Sequence, residues 1–311
     1  MKFKCFDLET TGVDVETATV VQAAVVVVDS VTEQGLANAE RHEHLFAARD
    51  VPVGATQVHR ITDRDPERFD FPVRVIPIGA LPFGQCAATM SGVLTEDDTV
   101  AVSFNGCAYD IPIVARFAAP SLGCSREAVA ARLRARHVDV MRLWWRVRGQ
   151  TKEAPWQYEL RSSKREACDP DWTVSAPRLT SDMFAGSLTA AHGFFFGEPF
   201  DDAHDATVDC AATLRVLSAM LSEGFVPDVE TAIRWSNLPL PGDVDFGGKF
   251  KWEGDTAVIT IGKQAGMPLE SVDRGFLRWM LDKDFADDTK AIVRNYLTRG
   301  EYPQRRYEDE T

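Results

Sequence analysis

The chain has 311 residues, 45% of them hydrophobic and 26% charged, with a formal net charge of −13 at pH 7. That length can bury a sizeable core in one large domain or two, and no apolar run approaches the roughly 20 residues of a membrane helix, so no membrane partner is expected. The acidic balance argues against broad, non-specific coating of duplex nucleic acid, which needs a basic surface, but leaves room for a metal site or a small basic groove.

The opening MKFKCFDLE has no apolar signal core ahead of its acidic pair, which points to the cytoplasm. Residues Phe3–Glu9 have strand character and end at Thr-Thr-Gly. Thr19–Asp29, nearly continuous Val and Ala, reads as a buried central strand. A third strand is expected over Arg41–Phe46, after a turn around Glu33–Gly35. Phe71–Leu94 shows no clean helical pattern. Thr99–Phe104 is again β-rich, and NGCAYDIPIVARF after it turns helical. His137–Val140 reads as a short strand feeding a helix from Met141, and the stretch from Trp145 to Pro177, aperiodic and aromatic, as a long insertion or loop. Asp205–Leu221 is helical by its apolar spacing, with Gly224 as a stop signal. Strands that first follow one another and later alternate with helices predict a mixed α/β sheet. Leu238–Gly248 is Pro- and Gly-rich, a linker by composition. A hairpin around Glu253-Gly254-Asp255 and two helices, Phe276–Asp282 and Asp287–Thr298, complete the chain. Six scattered cysteines (Cys5, Cys86, Cys107, Cys124, Cys168, Cys210) without a CxxC pair read as reduced packing thiols rather than disulfides or zinc ligands.

Asp7 and Glu9 are two apart in the first strand, so both project from one face while Phe6 and Leu8 take the other. Two like charges side by side are unfavourable unless a cation joins them, and oxygen-rich carboxylate clusters suit magnesium or manganese. On its own so short a motif better describes an edge strand with two solvated acids. Asp110 lies one turn into a helix that follows a buried strand, a place from which it can point over the carboxyl end of the sheet or simply complement the helix dipole. Asp209 sits among Val208, Cys210, Ala211 and Ala212, oddly for a solvated charge. His204, five residues earlier, shares no helical face with it; the two converge only if His204 lies on the loop leading into the helix.

DLETTG, QVHRIT at Gln57–Thr62, FNGCAYD and HDATVD at His204–Asp209 occur in the order and approximate separation of the DEDDh 3′–5′ exonucleases, a family that includes the proofreading subunit of bacterial replicative polymerase, ribonuclease T and oligoribonuclease. The resemblance covers roughly residues 1–222, with 145–177 outside it. It implies a ribonuclease H-like fold, two Mg²⁺ or Mn²⁺ ions held by Asp7, Glu9, Asp110 and Asp209, His204 as general base, and release of 5′-mononucleotides. Two ions roughly 3.5–4 Å apart clamp the attacking and leaving oxygens of a phosphodiester, and a neutral histidine takes a proton from the attacking water. Thr10 and Thr11, just past the metal strand, match residues that contact the 3′ end; Asn105 matches an Asn beside the site or is a turn residue.

Arg60 stands where the family commonly has Gly and Tyr109 where it has Phe, so the first of these loops is expected to differ. The arginines between Arg126 and Arg148 make a local basic reversal, either a phosphate track or a solvated helical face, and Trp144, Trp145, Trp156 and Trp172 are candidates for base stacking or for packing. The segment ITIGKQAGMPLESVDRGFLRWMLDKDF resembles a small domain at the carboxyl terminus of exodeoxyribonuclease X-like exonucleases, matching at Gly262, Lys263, Gly266, Pro268, Leu269, Trp279 and Phe285. The expected organisation is an exonuclease domain over 1–222, a helix and linker over 223–248 and a small α+β domain over 249–311. The expected activity is 3′–5′ hydrolysis of single-stranded DNA. An RNA or short-oligonucleotide exonuclease is the alternative of the same class; a non-catalytic nucleic-acid-binding or polymerase-partner module is the alternative of another.

Overall fold

The computed structural model describes residues 1–153, 186–197, 200, 203–240, 242–283 and 285–304, with side chains at all of these except 148–153 and 287. The chain divides into two compact units, Met1–Ser236 and Asn237–Thr311.

The first unit is built on β1 (Lys2–Thr10) and β2 (Val20–Val28), followed by helix α1 (Glu33–Ala37), β3 (Glu40–Leu45), α2 (Val53–His59), the two-residue strands β4 (Ile61–Thr62) and β5 (Arg74–Val75), and α3 (Ala87–Leu94). Then come β6 (Thr99–Ser103), α4 (Asp110–Leu122), α5 (Arg126–Arg134), β7 (His137–Asp139), α6 (Val140–Glu153), α7 (Leu188–Phe196), α8 (Ala206–Ser222) and α9 (Val229–Ser236). The five-stranded sheet runs β3-β2-β1-β6-β7. Its first three strands pair antiparallel, and β6 and β7 join parallel, so the mixed ribonuclease H-like sheet is present.

Alternation along β1 fixes which face does what. Phe3 and Cys5 enter one core with Val26, Val102, Trp144, Cys210 and Leu214, while Phe6 and Leu8 enter another with Ala101, Ile111 and Val114 on the opposite face. Helices therefore cover both faces, and β2, sandwiched between them, can be continuous Val and Ala.

Several expectations are corrected here. Residues 87–94 do form a helix ahead of β6; its apolar Ala-Ala-Met-Leu content packs it against the sheet without a marked polar face. The turn around Glu33–Gly35 is a short helix, capped by the Thr32 side chain on Gly35 N–H. Helix α6 continues through Trp145 to Glu153, so the insertion begins later than composition suggests; residues 154–185, with Trp156 and Trp172, lie outside the described residues. Trp144 is fully buried, a packing residue. The arginines of 126–148 form no single stripe: Arg142 and Arg146 are buried, Arg126 pairs with Glu16, and Arg136 pairs with Glu230. Arg60 keeps the left-handed turn (φ 60°) that glycine adopts freely, with its guanidinium 4.1 Å from the centre of the Phe71 ring.

The second unit holds the hairpin β8 (Phe250–Glu253) and β9 (Thr256–Ile259), then α10 (Arg274–Asp282) and α11 (Asp287–Arg299). Phe250, Ile259, Leu269, Val272, Leu277, Met280 and Val293 form its core. Residues 238–248 belong to this unit and are not slack. Val244 packs on that core, and buried Asp245 accepts the Phe250 N–H at 2.7 Å and the Thr289 hydroxyl.

Candidate active site

The site forms where β1 outruns its neighbour. Strand β6 pairs only with Lys2–Cys5 of β1, so beyond Cys5 the N–H groups on that side have no strand partner. The Leu8 N–H is donated instead to Asp110 Oδ1 at 3.1 Å. This bond brings the first residue of α4 against the strand that carries Asp7 and Glu9. Asp110 opens the helix directly, with Tyr109 before it, rather than lying one turn inside.

The turn that delivers Asp110 is itself clamped. Asp139, buried at the end of β7, accepts the Asn105 N–H and the Cys107 N–H, each at 3.0 Å, and the Met141 N–H at 3.2 Å. Asn105 sits in the left-handed region (φ 68°), the turn role weighed for it from sequence. Gly106 packs so tightly that an added Cβ would lie 2.0 Å from Ser103 Oγ. Ser103 Oγ in turn bonds His137 Nε2 at 2.8 Å in the buried interior.

The other side of the site comes from α8. Its N-cap, Asp205, accepts the Thr207 and Val208 N–H groups at 2.9 and 3.3 Å. Gln22 lies opposite Glu9 across the β1–β2 ladder, and its side chain bonds both the Ala206 N–H (3.3 Å) and Asp205 Oδ2 (3.4 Å). Arg74 adds a 3.0 Å ion pair to Asp205 and a second pair to Glu43. With the helix start held this way, Asp209 faces β1. His204 lies on the loop before the cap, exposed, at φ 74°, and its N–H reaches the Asp209 carboxylate at 3.3 Å. One donor atom each from Glu9, His204 and Asp209 lie within 4.8 Å of one another.

The electrostatics follow from burial of like charges. Burial, then the charges of Asp110, Glu9 and Asp209, pushes the Asp7 carboxyl well above the carboxylate range. Burial and the charges of Asp209, Asp110 and Asp205 push Glu9 up to about 9. Asp110 is raised to about 7, mainly by burial and against the lowering effect of its own and the Leu8 N–H bonds. Asp209 is raised to about 6 by burial, opposed by the His204 N–H. Among the described residues no lysine or arginine pairs with any of the four. Four acids crowded so that each resists ionisation, with oxygen donors only and no counter-ion of protein origin, fit hard divalent cations.

No family model and no curated protein matches the sequence. Among solved structures, the zinc-bound complex of E. coli exonuclease I with single-stranded DNA is 15% identical, with a TM-score of 0.46 over 74% of this chain and 42% of that one. E. coli exonuclease I with a dT13 oligonucleotide is 15% identical, with a TM-score of 0.44 over 71% and 41%. The moderately thermophilic exonuclease I of Methylocaldum szegediense is 16% identical, with a TM-score of 0.46 over 78% and 44%. This chain spans less than half the length of each. What its site can do follows from its own residues.

Thr10 and Thr11 use their hydroxyls within the turn after β1. Thr10 bonds Gly12 O at 2.8 Å and the Tyr109 hydroxyl, and Thr11 Oγ1 accepts the Thr19 N–H at 2.9 Å. These bonds fix the turn that follows β1 beside the acids. Tyr109, where a Phe was the familial expectation, ties α4 to this turn through its hydroxyl on Gly12 O.

Three contributors escaped the sequence reading: Gln22, Asp139 and His59. Gln22 had a signal, as the one polar side chain in the run Val20–Val28. Asp139 lies in an arginine-rich stretch with no local sign of its role. His59, inside QVHRIT, is buried, and its Nδ1 accepts the Ile61 N–H at 3.0 Å. Burial lowers its pKa, with the nearby His204 adding to the effect, so the ring is neutral beside the site.

Proposed function

We propose that the first unit is a metal-dependent 3′–5′ exonuclease that hydrolyses phosphodiesters at the end of a single strand and releases 5′-mononucleotides. The observation that carries this is the convergence of buried Glu9 and Asp110 with half-buried Asp7 and Asp209, each with its carboxyl raised, and an exposed histidine beside them. Asp7, Glu9, Asp110 and Asp209 would hold two Mg²⁺ or Mn²⁺ ions. Bound there, such ions supply the counter-charge the acids lack and Lewis acidity toward phosphodiester oxygens.

The chain's own groups do the rest. His204, on a loop outside the helix and open to solvent, takes the proton of the attacking water. The Thr10–Gly12 turn and the Asn105–Tyr109 turn, each held by internal hydrogen bonds, orient the terminal nucleotide without reorganising. Asp139 and Gln22 hold the two halves of the acid cluster together. DNA as substrate rests on the resemblance of residues 259–285 to the exodeoxyribonuclease X-like segment; RNA is the alternative. The test is a panel of labelled single- and double-stranded DNA and RNA with Mg²⁺, Mn²⁺ or chelator. Metal-dependent shortening of single strands is expected, and a protein that binds strands but cleaves none would favour the non-catalytic alternative.

A further inference from the structure

The second unit carries an aromatic face that its own core uses only in part, through Phe276 and Phe285, and that the proposed chemistry does not use. Helix α10 sends Leu277 and Met280 inward, which is enough to seat it. Yet it also presents Trp279, 42% exposed, with Phe276 half-buried beside it. The Phe276 and Trp279 rings are 5.1 Å apart, and Phe285 stands edge-on to Trp279 at 5.9 Å. Trp279 is not among the side chains that pack on the core, and with its two neighbouring rings it makes a contiguous aromatic patch rather than a single exposed side chain.

Cations border this aromatic strip. Lys283 Nζ lies 5.9 Å from the Trp279 ring centre and Lys249 Nζ 5.9 Å from that of Phe285. A third arrives by a glycine. Gly262 has φ +66°, and an added Cβ would meet the Phe276 ring at 3.2 Å, so the turn carrying exposed Lys263 lies directly on that ring. Among the described residues none of these three lysines is ion-paired, whereas Lys251 on the hairpin is, with Asp243 at 3.8 Å. Of the nearby acids, Asp273 accepts the Phe276 N–H at 2.9 Å and Asp245 the Phe250 N–H at 2.7 Å, while Asp282, exposed at the end of α10, precedes Lys283 in the chain.

We propose that the Phe276–Trp279–Phe285 face, bordered by Lys249, Lys263 and Lys283, binds single-stranded nucleic acid. Bases stack on Trp279 and its neighbours, and the lysines meet the phosphates. The charge pattern selects this occupant. Planar apolar groups alternating with cations that have no ion pair among the described residues match a polyanion with exposed base faces. A duplex hides its base faces, and an apolar protein helix offers no counter-charge to three ammonium groups. The proposal deepens the exonuclease reading by giving the chain a second hold on its substrate, but strand binding here does not depend on cleavage.

The test uses the full chain carrying Asp7→Ala, which stops hydrolysis, and fluorescence anisotropy with a long labelled oligothymidylate, the matching RNA and a duplex. Adding Trp279→Ala should weaken single-strand binding roughly 5- to 150-fold, the worth of one stacked base. Trp279→Phe should recover most of it. Lys263→Glu with Lys283→Glu should lower the slope of log affinity against log salt by about 1.4. Trp279 is exposed, so folding should survive, and unchanged circular dichroism checks it. Unchanged binding in both the Trp279→Ala and the double-lysine variant overturns the proposal and leaves a protein partner for this face; so does a parent chain that binds no strand. A native chain that binds strands through Trp279 but cleaves nothing would refute the exonuclease reading and leave this one standing.

Discussion

Glu9→Gln should make the metal-free protein more stable at alkaline pH. In the unfolded chain Glu9 releases its proton near the ordinary 4.5, whereas in the fold burial and the charges of Asp209, Asp110 and Asp205 keep it protonated up to about 9. Folding therefore takes up a proton across that window. The stability this group contributes is whole below about pH 4.5 and is lost as pH rises toward 9, at ~1.4 kcal/mol per pH unit. Between about pH 5 and pH 8 the loss from Glu9 is ~4 kcal/mol. Glutamine keeps the shape without the proton release, so the variant's stability should fall less steeply by that amount. A decline should remain from Asp110 and Asp209, whose values of about 7 and about 6 place their loss at lower pH, and from Asp7, which burial also holds well above the carboxylate range. Calorimetric unfolding in chelator at several pH values measures both slopes. Saturating Mg²⁺ should remove the decline in the native chain, because the ion binds the ionised cluster, and should do so much less in Glu9→Gln. Equal stability of the native chain at both ends of the range without metal, or equal stabilisation of both proteins by Mg²⁺, would refute the reasoning.

Other substitutions probe the same site from different sides. Asp7→Ala should abolish cleavage while the fold persists, since it also relieves repulsion among the acids; nuclease assay with a melting curve reads both. His204→Ala should slow cleavage by about 10²–10⁴-fold while Mg²⁺ still raises the melting temperature. Loss of that metal effect would make the histidine a ligand rather than a base. Asp139→Ala leaves three N–H groups without their acceptor and should cost ~3 kcal/mol in denaturant unfolding, with Asp139→Asn intermediate. Gln22→Ala frees the start of α8 and should weaken Mg²⁺ affinity in calorimetric titration more than it lowers stability.

The strands and the Asp7–Glu9 pair of the candidate site are legible because each is a local signal, whereas Asp110 and Asp209 join them only through the family resemblance. β2 is a continuous run of Val and Ala, and Asp7 and Glu9 share a face by simple alternation. The structure brings Asp110, Asp209 and His204 to them, and the requirement that His204 lie on the loop before α8 is met. What the sequence concealed is the scaffolding behind those acids. Gln22 acts 183 and 184 residues away, on Asp205 and Ala206, and Asp139 acts on a turn 32 to 34 residues earlier; neither pairing leaves a periodic trace. Arginine spacing misled for a related reason. Arg142 and Arg146 are on a helix face that packs inward, and composition cannot say which face of α6 meets the sheet. The Pro- and Gly-rich stretch at 238–248 reads as linker because its anchor, Asp245, binds partners that lie beyond it in the chain.

The most direct measurement is the cleavage of a 5′-labelled single strand by the native chain and by Asp7→Ala, purified side by side, with Mg²⁺, with Mn²⁺ and with chelator. The account predicts a ladder that shortens from the 3′ end, 5′-mononucleotides as the released product, and activity only in the native chain with metal. A strand left intact by the native chain with either metal, shortening that persists in chelator, or equal shortening by Asp7→Ala would contradict it.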